Sequence, residues 1–323
     1  MTVRIVPRKI RLEASSFCQL RCPPCPTTRR AIHPAVGSGF LKASDFRKLV
    51  DDNPWVTEIE LSNFGEIFLN PELLEIVAYA HGHGVALSAG NGVNLNNAKD
   101  DVLEGLVKYQ FRSMSCSIDG ASAETYSQYR VRGSLDRVLE NIRKINGFKE
   151  LYKSTHPILN WSFIVFRHNE HEILDAKRMA EDLNMTFSTK LAWDDEFSSK
   201  YASIRNKENV MQATGRNVTT REEFRQKYGK DYMQGACKAL WTQPQINWDG
   251  KVLGCCINFW GDFGGNAFTD GLVNSVNNKK INYARDMLLG KQPARDDIPC
   301  TTCKIYLVMK ASGGFLKDHT KPA

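Results

Sequence analysis

Between Ile10 and Leu191 short apolar runs alternate with segments of helical periodicity, and few folds accept that order. Parallel strands need a crossover of a dozen or more residues, usually a helix, so the pattern predicts βαβ units around a parallel sheet. Strands are expected within 4–13 (apolar at Ile10 and Leu12) and at 56–61, 85–89, 111–118, 161–166 and 186–191. Helices are expected over 43–50, with Ser44 as its cap, then from Pro71 to Ala80, and over 100–108, 122–130, 135–148 and 170–183. The unusual residues fall in the loops after the strands, where sheets of this kind bind ligands.

The first of those loops is Cys18-Gln-Leu-Arg-Cys22-Pro-Pro-Cys25. Thiolates are soft ligands that suit zinc, copper(I) or iron–sulfur clusters. Three close thiolates with no adjacent fourth would leave one iron of a four-iron cluster open to another ligand. A zinc site completed by His33, or a disulfide between two of the three, would also use these residues. A second group comprises Cys237, Cys255 and the pair Cys300-Thr-Thr-Cys303, with an Asp249-Gly250 hairpin turn between the first two. Four thiolates close either a zinc site or an iron–sulfur cluster, and spacing does not separate these. Cys256 is a ligand in place of Cys255, a hydrogen donor to a substrate radical, or a core residue. Cys116, on an apolar strand, reads as a small buried hydrophobe.

Composition narrows the setting. Of 323 residues, 43 are basic and 36 acidic, a net charge of +7 without a long basic block, which suits an anionic substrate or weak nucleic-acid contact. No signal-peptide pattern and no run of 18 apolar residues occurs, so a cytoplasmic protein without membrane contact is expected. Nine cysteines in a reducing compartment point to metal or catalysis.

The C-x3-C-x2-C loop resembles the signature of the radical S-adenosylmethionine (SAM) enzymes. The C-terminal segment resembles their SPASM and twitch auxiliary-cluster domains: Cys237, Gly250 five residues before Cys255, Gly265-Asn266, Arg285 ahead of a Leu-Leu-Gly, and Cys300/Cys303. With four thiols plus Cys256, one auxiliary cluster is the limit, so the twitch version of the aminocyclitol dehydrogenases fits better. The resemblance implies an α/β fold: a partial (β/α)6 TIM-like barrel over 1–192, a polar linker or lid over 193–234, and a twitch domain over 235–323. It implies two 4Fe-4S clusters, one held by Cys18, Cys22 and Cys25 and chelating SAM, the other by Cys237, Cys255, Cys300 and Cys303.

Further residues are carried over by position. Phe64-Gly65-Glu66-Ile67 matches the Gly-Gly-Glu-Pro motif that meets the SAM amino group, although Glu66 is also suited to open a helix. Ser117 and Asp119 match the strand end near the SAM ribose and carboxylate. Tyr126 and Arg130 form the usual Tyr-x3-Arg, with Arg130 expected on the SAM carboxylate. Asn91-Gly92 matches another site-lining turn. The implied reaction is cleavage of SAM to a 5′-deoxyadenosyl radical, then hydrogen abstraction, most simply a two-electron dehydrogenation of an amino sugar or cyclitol. The auxiliary cluster would accept the electron, and a flavodoxin or ferredoxin would be the reductant. Cys18 is too near the N-terminus for a preceding peptide-recognition domain, which favours a small molecule. The rival readings are epimerisation or crosslinking of a ribosomal peptide, and a zinc-stabilised nucleic-acid-binding protein. Nucleic acid is not an expected partner of the enzyme.

Overall fold

The computed structural model describes residues 4–193 and 204–317. Six parallel strands follow one another in chain order: β1 (Lys9–Leu12), β2 (Glu58–Glu60), β3 (Ala86–Val93), β4 (Ser113–Ser117), β5 (Ile158–Val165) and β6 (Thr186–Leu191). Between them run α1 (Ala43–Asp52), α2 (Leu73–Gly82), α3 (Asp100–Lys108), α4 (Ala123–Tyr129), α5 (Leu135–Tyr152) and α6 (Ile173–Asp182). The sheet continues beyond β1 into β7 (Gln245–Ile246), parallel to it, and β8 (Val252–Gly254), antiparallel to β7. The C-terminal hairpin thus extends the same sheet across the boundary that the sequence suggests near residue 235.

The strands divide their faces by residue type. Ile10, Leu12, Ile59, Leu87, Ala89, Met114, Cys116, Leu159, Trp161, Phe163 and Val165 are buried in the core with the helices. The alternate positions are polar and bond across the strands. Asn160 Nδ2 donates to Ser115 Oγ (3.2 Å) and Ser188 Oγ (2.9 Å), and Thr186 Oγ1 donates to Asn160 Oδ1 (3.1 Å). Ser88 Oγ donates to Glu60 Oε2 (2.9 Å). A parallel sheet covered on both faces reads as nearly continuous apolar runs; here one face faces something polar. Cys22, in the loop after β1, packs with Phe166 and Ala192 at the ends of β5 and β6, and Ile164 from the polar face of β5 lies against them. Four strand spacings would hold β1 and β5 about 19 Å apart in a flat sheet, so the sheet curls with its polar face inward.

Three local expectations need correction. Helix α1 is not capped by Ser44; Lys42 holds the cap position, and the Ala43 N–H donates to the Glu72 carboxylate from the start of α2. Proline opens the approach to α2 two residues early, because Asn70 Oδ1 accepts from Glu72 N and starts the turn there. Asn91-Gly92 is not a turn closing β3 at Ala89; the strand runs on to Val93 with a register shift, because Glu60 takes the N–H groups of Gly90 (2.8 Å) and Asn91 (3.2 Å).

Of the polar stretch 193–234, residues 194–203 lie outside the described residues. The remainder carries α7 (Lys207–Thr214) and α8 (Arg221–Tyr228), the second capped by Thr220. It is fastened to the end of β6, where Arg216 Nη2 donates to Thr189 O (2.5 Å). Then follow α9 (Ala239–Thr242), α10 (Leu272–Ser275), α11 (Lys279–Leu288) and α12 (Lys304–Ser312).

Candidate active site

The cysteine loop leaves β1 at its C-terminal end and is held by the loop after β2. Glu66 N donates to Phe17 O (2.8 Å) and Thr27 Oγ1 to Phe64 O (2.8 Å). A Cβ on Gly65 would stand 2.2 Å from Ser15 O, so only glycine allows the two backbones to touch. Cys18, Cys22 and Cys25 pack together with Leu20, Tyr129, Phe166 and Ala192, from the ends of α4, β5 and β6. Asn94 Nδ2 approaches Cys18 Sγ (3.7 Å), and Arg130 Nη1 approaches Cys22 Sγ (3.7 Å).

Arg130 also donates through Nε to Asp119 Oδ2 (2.6 Å), and its guanidinium lies over the Tyr129 ring. Asp119 is fully buried, and its other oxygen accepts from Ile164 N (2.6 Å). Both oxygens therefore already meet protein donors, and its observed role is to fix Arg130 against Cys22. Glu66 is likewise buried: it caps the 3-10 turn Ile67–Leu69 through Phe68 N (3.3 Å) and accepts from Asn94 N (2.6 Å). Burial pushes its carboxyl up to about 7, although these two N–H groups and Arg130 oppose the rise. Of the ammonium acceptor and the helix-opening carboxylate, the second is what the structure displays. Ser117 Oγ stands where a Gly92 Cβ would go (2.5 Å), which brings the β3 and β4 loops together. Asn91 is exposed, its amide donating to Asn63.

The second thiol group also converges. One cavity is lined by Cys237, Cys255, Cys300 and Cys303 together with Trp260, Phe263 and Tyr306. Cys237 lies on the 3-10 turn Gln234–Lys238, Cys255 follows β8, and Cys303 stands at the start of α12. Trp260 Nε1 donates to Pro299 O (2.8 Å) and closes one wall. Arg285, 1% exposed, ties α11 to α9 by donating to Leu240 O and Val276 O. Cys256, half-buried, is not among the residues lining this cavity, although it acts electrostatically on Cys237 and Cys255 as well as on Lys190.

Cys18, Cys22 and the four thiols of the second group are hard to ionise. Burial, then Glu66 and the neighbouring thiols, push Cys18 up to about 12. Burial raises Cys22 too, against Arg130. In the second group burial and the adjacent thiol push Cys255 up to about 12, and Cys237, Cys300 and Cys303 rise as well. Such sets suit a strongly positive metal core, whose binding expels the thiol protons. Among the described residues, no three His, Cys, Asp or Glu side chains meet closely enough to hold one metal ion.

No family model matches this sequence. The AdoMet-dependent heme synthase of Methanosarcina barkeri is 28% identical over 180 residues, which is 55% of this chain and 48% of that protein. This chain thus spans about half the length of the curated relative. Among solved structures, Streptococcus suis SuiB bound to S-adenosylmethionine aligns with TM-score 0.64 and 13% identity, over 94% of this chain and 72% of that one. Native anSMEcpe with bound AdoMet gives 0.59 and 15%, over 94% and 88%. At such identities the structures speak to the fold alone.

The sequence is thus similar to an AdoMet-dependent heme synthase, and the fold is similar to those of SuiB and anSMEcpe.

The fold also places residues that the motifs did not flag. Glu60, which gathers the ends of β2 and β3, and Lys190 on β6 sit at inward positions of strands read only for their apolar half. The period-two alternation marks both, since it assigns the polar half to the opposite face. Glu172 is less legible. It accepts from Ala121 N (2.6 Å), Ser122 Oγ (2.6 Å) and Thr125 Oγ1 (2.9 Å), and so anchors the helix leading to Arg130 from 42 residues further along the chain. No helix among the described residues is long and apolar enough to cross a membrane.

Proposed function

We propose that this chain is a radical SAM oxidoreductase that removes a hydrogen atom from a polar small molecule. The observation that carries the reading is the opening of the three-thiol loop onto a concave sheet face built of serine, asparagine, glutamate and lysine. Cys18, Cys22 and Cys25 would hold the SAM-binding cluster, with Arg130 giving Cys22 a positive neighbour. Cys237, Cys255, Cys300 and Cys303 would hold an auxiliary cluster; their arrangement around a cavity, rather than at one point, favours a cluster over a zinc ion. The domain limits would be 1–192 and 235–323, with 193–234 as the connection. When bound, these groups and SAM supply a carbon-centred radical and an acceptor for the second electron of a two-electron oxidation. Around them the protein orients the substrate: Ser115, Asn160 and Ser188 offer hydroxyl and amide partners for a polyol, while Asp119 holds Arg130 still.

The rival is a peptide substrate, favoured by the likeness to SuiB bound to its precursor peptide SuiA (TM-score 0.58, 13% identity). On that reading Cys256, half-buried, would be the hydrogen donor that an epimerase needs. A Cys256→Ala protein that cleaves SAM but leaves product unfinished supports that rival, and an unchanged one supports oxidation.

The test is iron and sulfide analysis with electron paramagnetic resonance after anaerobic reconstitution, on wild type and Cys18/Cys22/Cys25→Ala. About eight irons against about four, with 5′-deoxyadenosine formed by wild type alone, is the expected result. Zinc in place of iron, with no SAM cleavage, overturns the proposal.

A further inference from the structure

Lys190 stands near the rim of the concave face, on β6 in register with Ile164 of β5. Four groups from separate parts of the chain act on its charge electrostatically: Asp119, Arg130, Glu60 and Cys256. Neither nearby carboxylate is available to it. Asp119 is paired with Arg130, and Glu60 accepts from Ser62, Ser88, Gly90 and Asn91. Lys190 makes no hydrogen bond or ion pair with any described residue.

Lys190 is half-buried, and an ammonium held partly out of water without a side-chain partner is costly; the usual remedy is an opposite charge. We infer that Lys190 docks an anionic group, a carboxylate or phosphate, of the substrate and so selects for its charge. Burial depresses the lysine's affinity for its proton, a loss that a bound anion reverses. The hydroxyls and amide of Ser115, Asn160 and Ser188 lie on the same face and complete a site for a polyhydroxylated anion. An amino sugar would bring a second cation beside Lys190 and Arg130, so a sugar acid or sugar phosphate fits this charge pattern better. The net charge of +7 draws such molecules in. The inference rests on reading this face as the substrate site.

Glucose 6-phosphate and inorganic phosphate are titrated calorimetrically into the iron-reconstituted protein with SAM present. Glucose, and chloride at matched ionic strength, serve as controls. Wild type is expected to bind both phosphates and neither control. Lys190→Met should weaken the phosphates by about ten- to a hundredfold, and Lys190→Arg by no more than about threefold. Melting temperature and iron content of each variant verify its folding, and Lys190→Arg keeps the comparison valid if Lys190→Met is unstable. Phosphate binding unchanged in Lys190→Met means an adventitious surface site and overturns the inference, as does the absence of anion binding by wild type. 5′-Deoxyadenosine release is followed in the same samples. Cleavage without anion binding removes the docking role alone; Lys190-dependent binding without cleavage keeps it and removes the enzymatic reading.

Discussion

The Arg130 guanidinium reaches the sulfur of Cys22 at 3.7 Å while its Nε bonds Asp119 Oδ2 at 2.6 Å. The pair is buried, Arg130 14% and Asp119 0% exposed at the side chain. Losing one partner leaves the other charge stranded, which typically costs about 3–5 kcal/mol. Arg130→Met should therefore lower stability by several kcal/mol and loosen the three-thiol loop, whereas Arg130→Met/Asp119→Leu should recover much of the stability but not the iron content of that loop. Urea unfolding and iron analysis of the three proteins check this. Equal stability of the single variant and wild type would contradict the buried-pair account.

The two adjacent cysteines should separate cleanly. Cys255 lines the four-thiol cavity and Cys256 does not. Cys255→Ala is expected to lose the auxiliary cluster, about four irons, while Cys256→Ala keeps the wild-type content. Iron counts on reconstituted protein decide it, and the reverse pattern would reassign the ligand.

These residues mark how far the sequence reaches. The six-strand order and both thiol groups are legible because period and spacing are local properties. Position within the site is less so. Asp119 and Glu66 sit where the motifs put them, but their partners, Arg130, Ile164, Asn94 and Phe68, show them bracing the protein. Spacing gives an address and says nothing about which donors arrive there. The choice between Cys255 and Cys256 shows the same limit, since spacing does not separate neighbours in sequence and the fold lines the four-thiol cavity with Cys255. Lys190 and Glu60 belong to the polar half of the strand alternation, which carries as much information as the apolar half.

Two glycines offer a matched contrast. A Cβ on Gly65 would lie 2.2 Å from Ser15 O, and that atom is backbone. Gly65→Ala should displace the cysteine loop, cost about 1–3 kcal/mol and reduce iron loading. Gly147, inside α5, has nothing within 4 Å of the corresponding position. Gly147→Ala should stabilise by about 0.5–1 kcal/mol and leave iron content unchanged. Thermal melting with iron analysis tests both, and a Gly65→Ala protein that melts and loads like wild type would refute the close approach.

Glu13, the residue after β1, is fully buried; Oε1 accepts from Phe64 N (2.9 Å), while Oε2 is buried without a hydrogen-bond partner. Burial pushes its carboxyl up to about 8, against the backbone N–H groups of Phe64 and Gly65 and the charge of Arg11. The protonated acid is thus the form the fold prefers. Because the folded value lies above the ordinary carboxylate value of 4.5, the unfolded chain releases this proton first as pH rises. The group's contribution is complete below about pH 4.5 and is lost progressively as pH climbs to about 8. Glu13→Gln keeps an oxygen for Phe64 N and cannot ionise, so it should escape that loss. The stability difference, variant minus wild type, should then grow between pH 5 and pH 8 by about 1.4 kcal/mol per pH unit at most. Denaturant unfolding of both proteins across that interval measures it. A difference that stays constant with pH would mean that Glu13 is ionised in the folded protein and that Oε2 has found a donor.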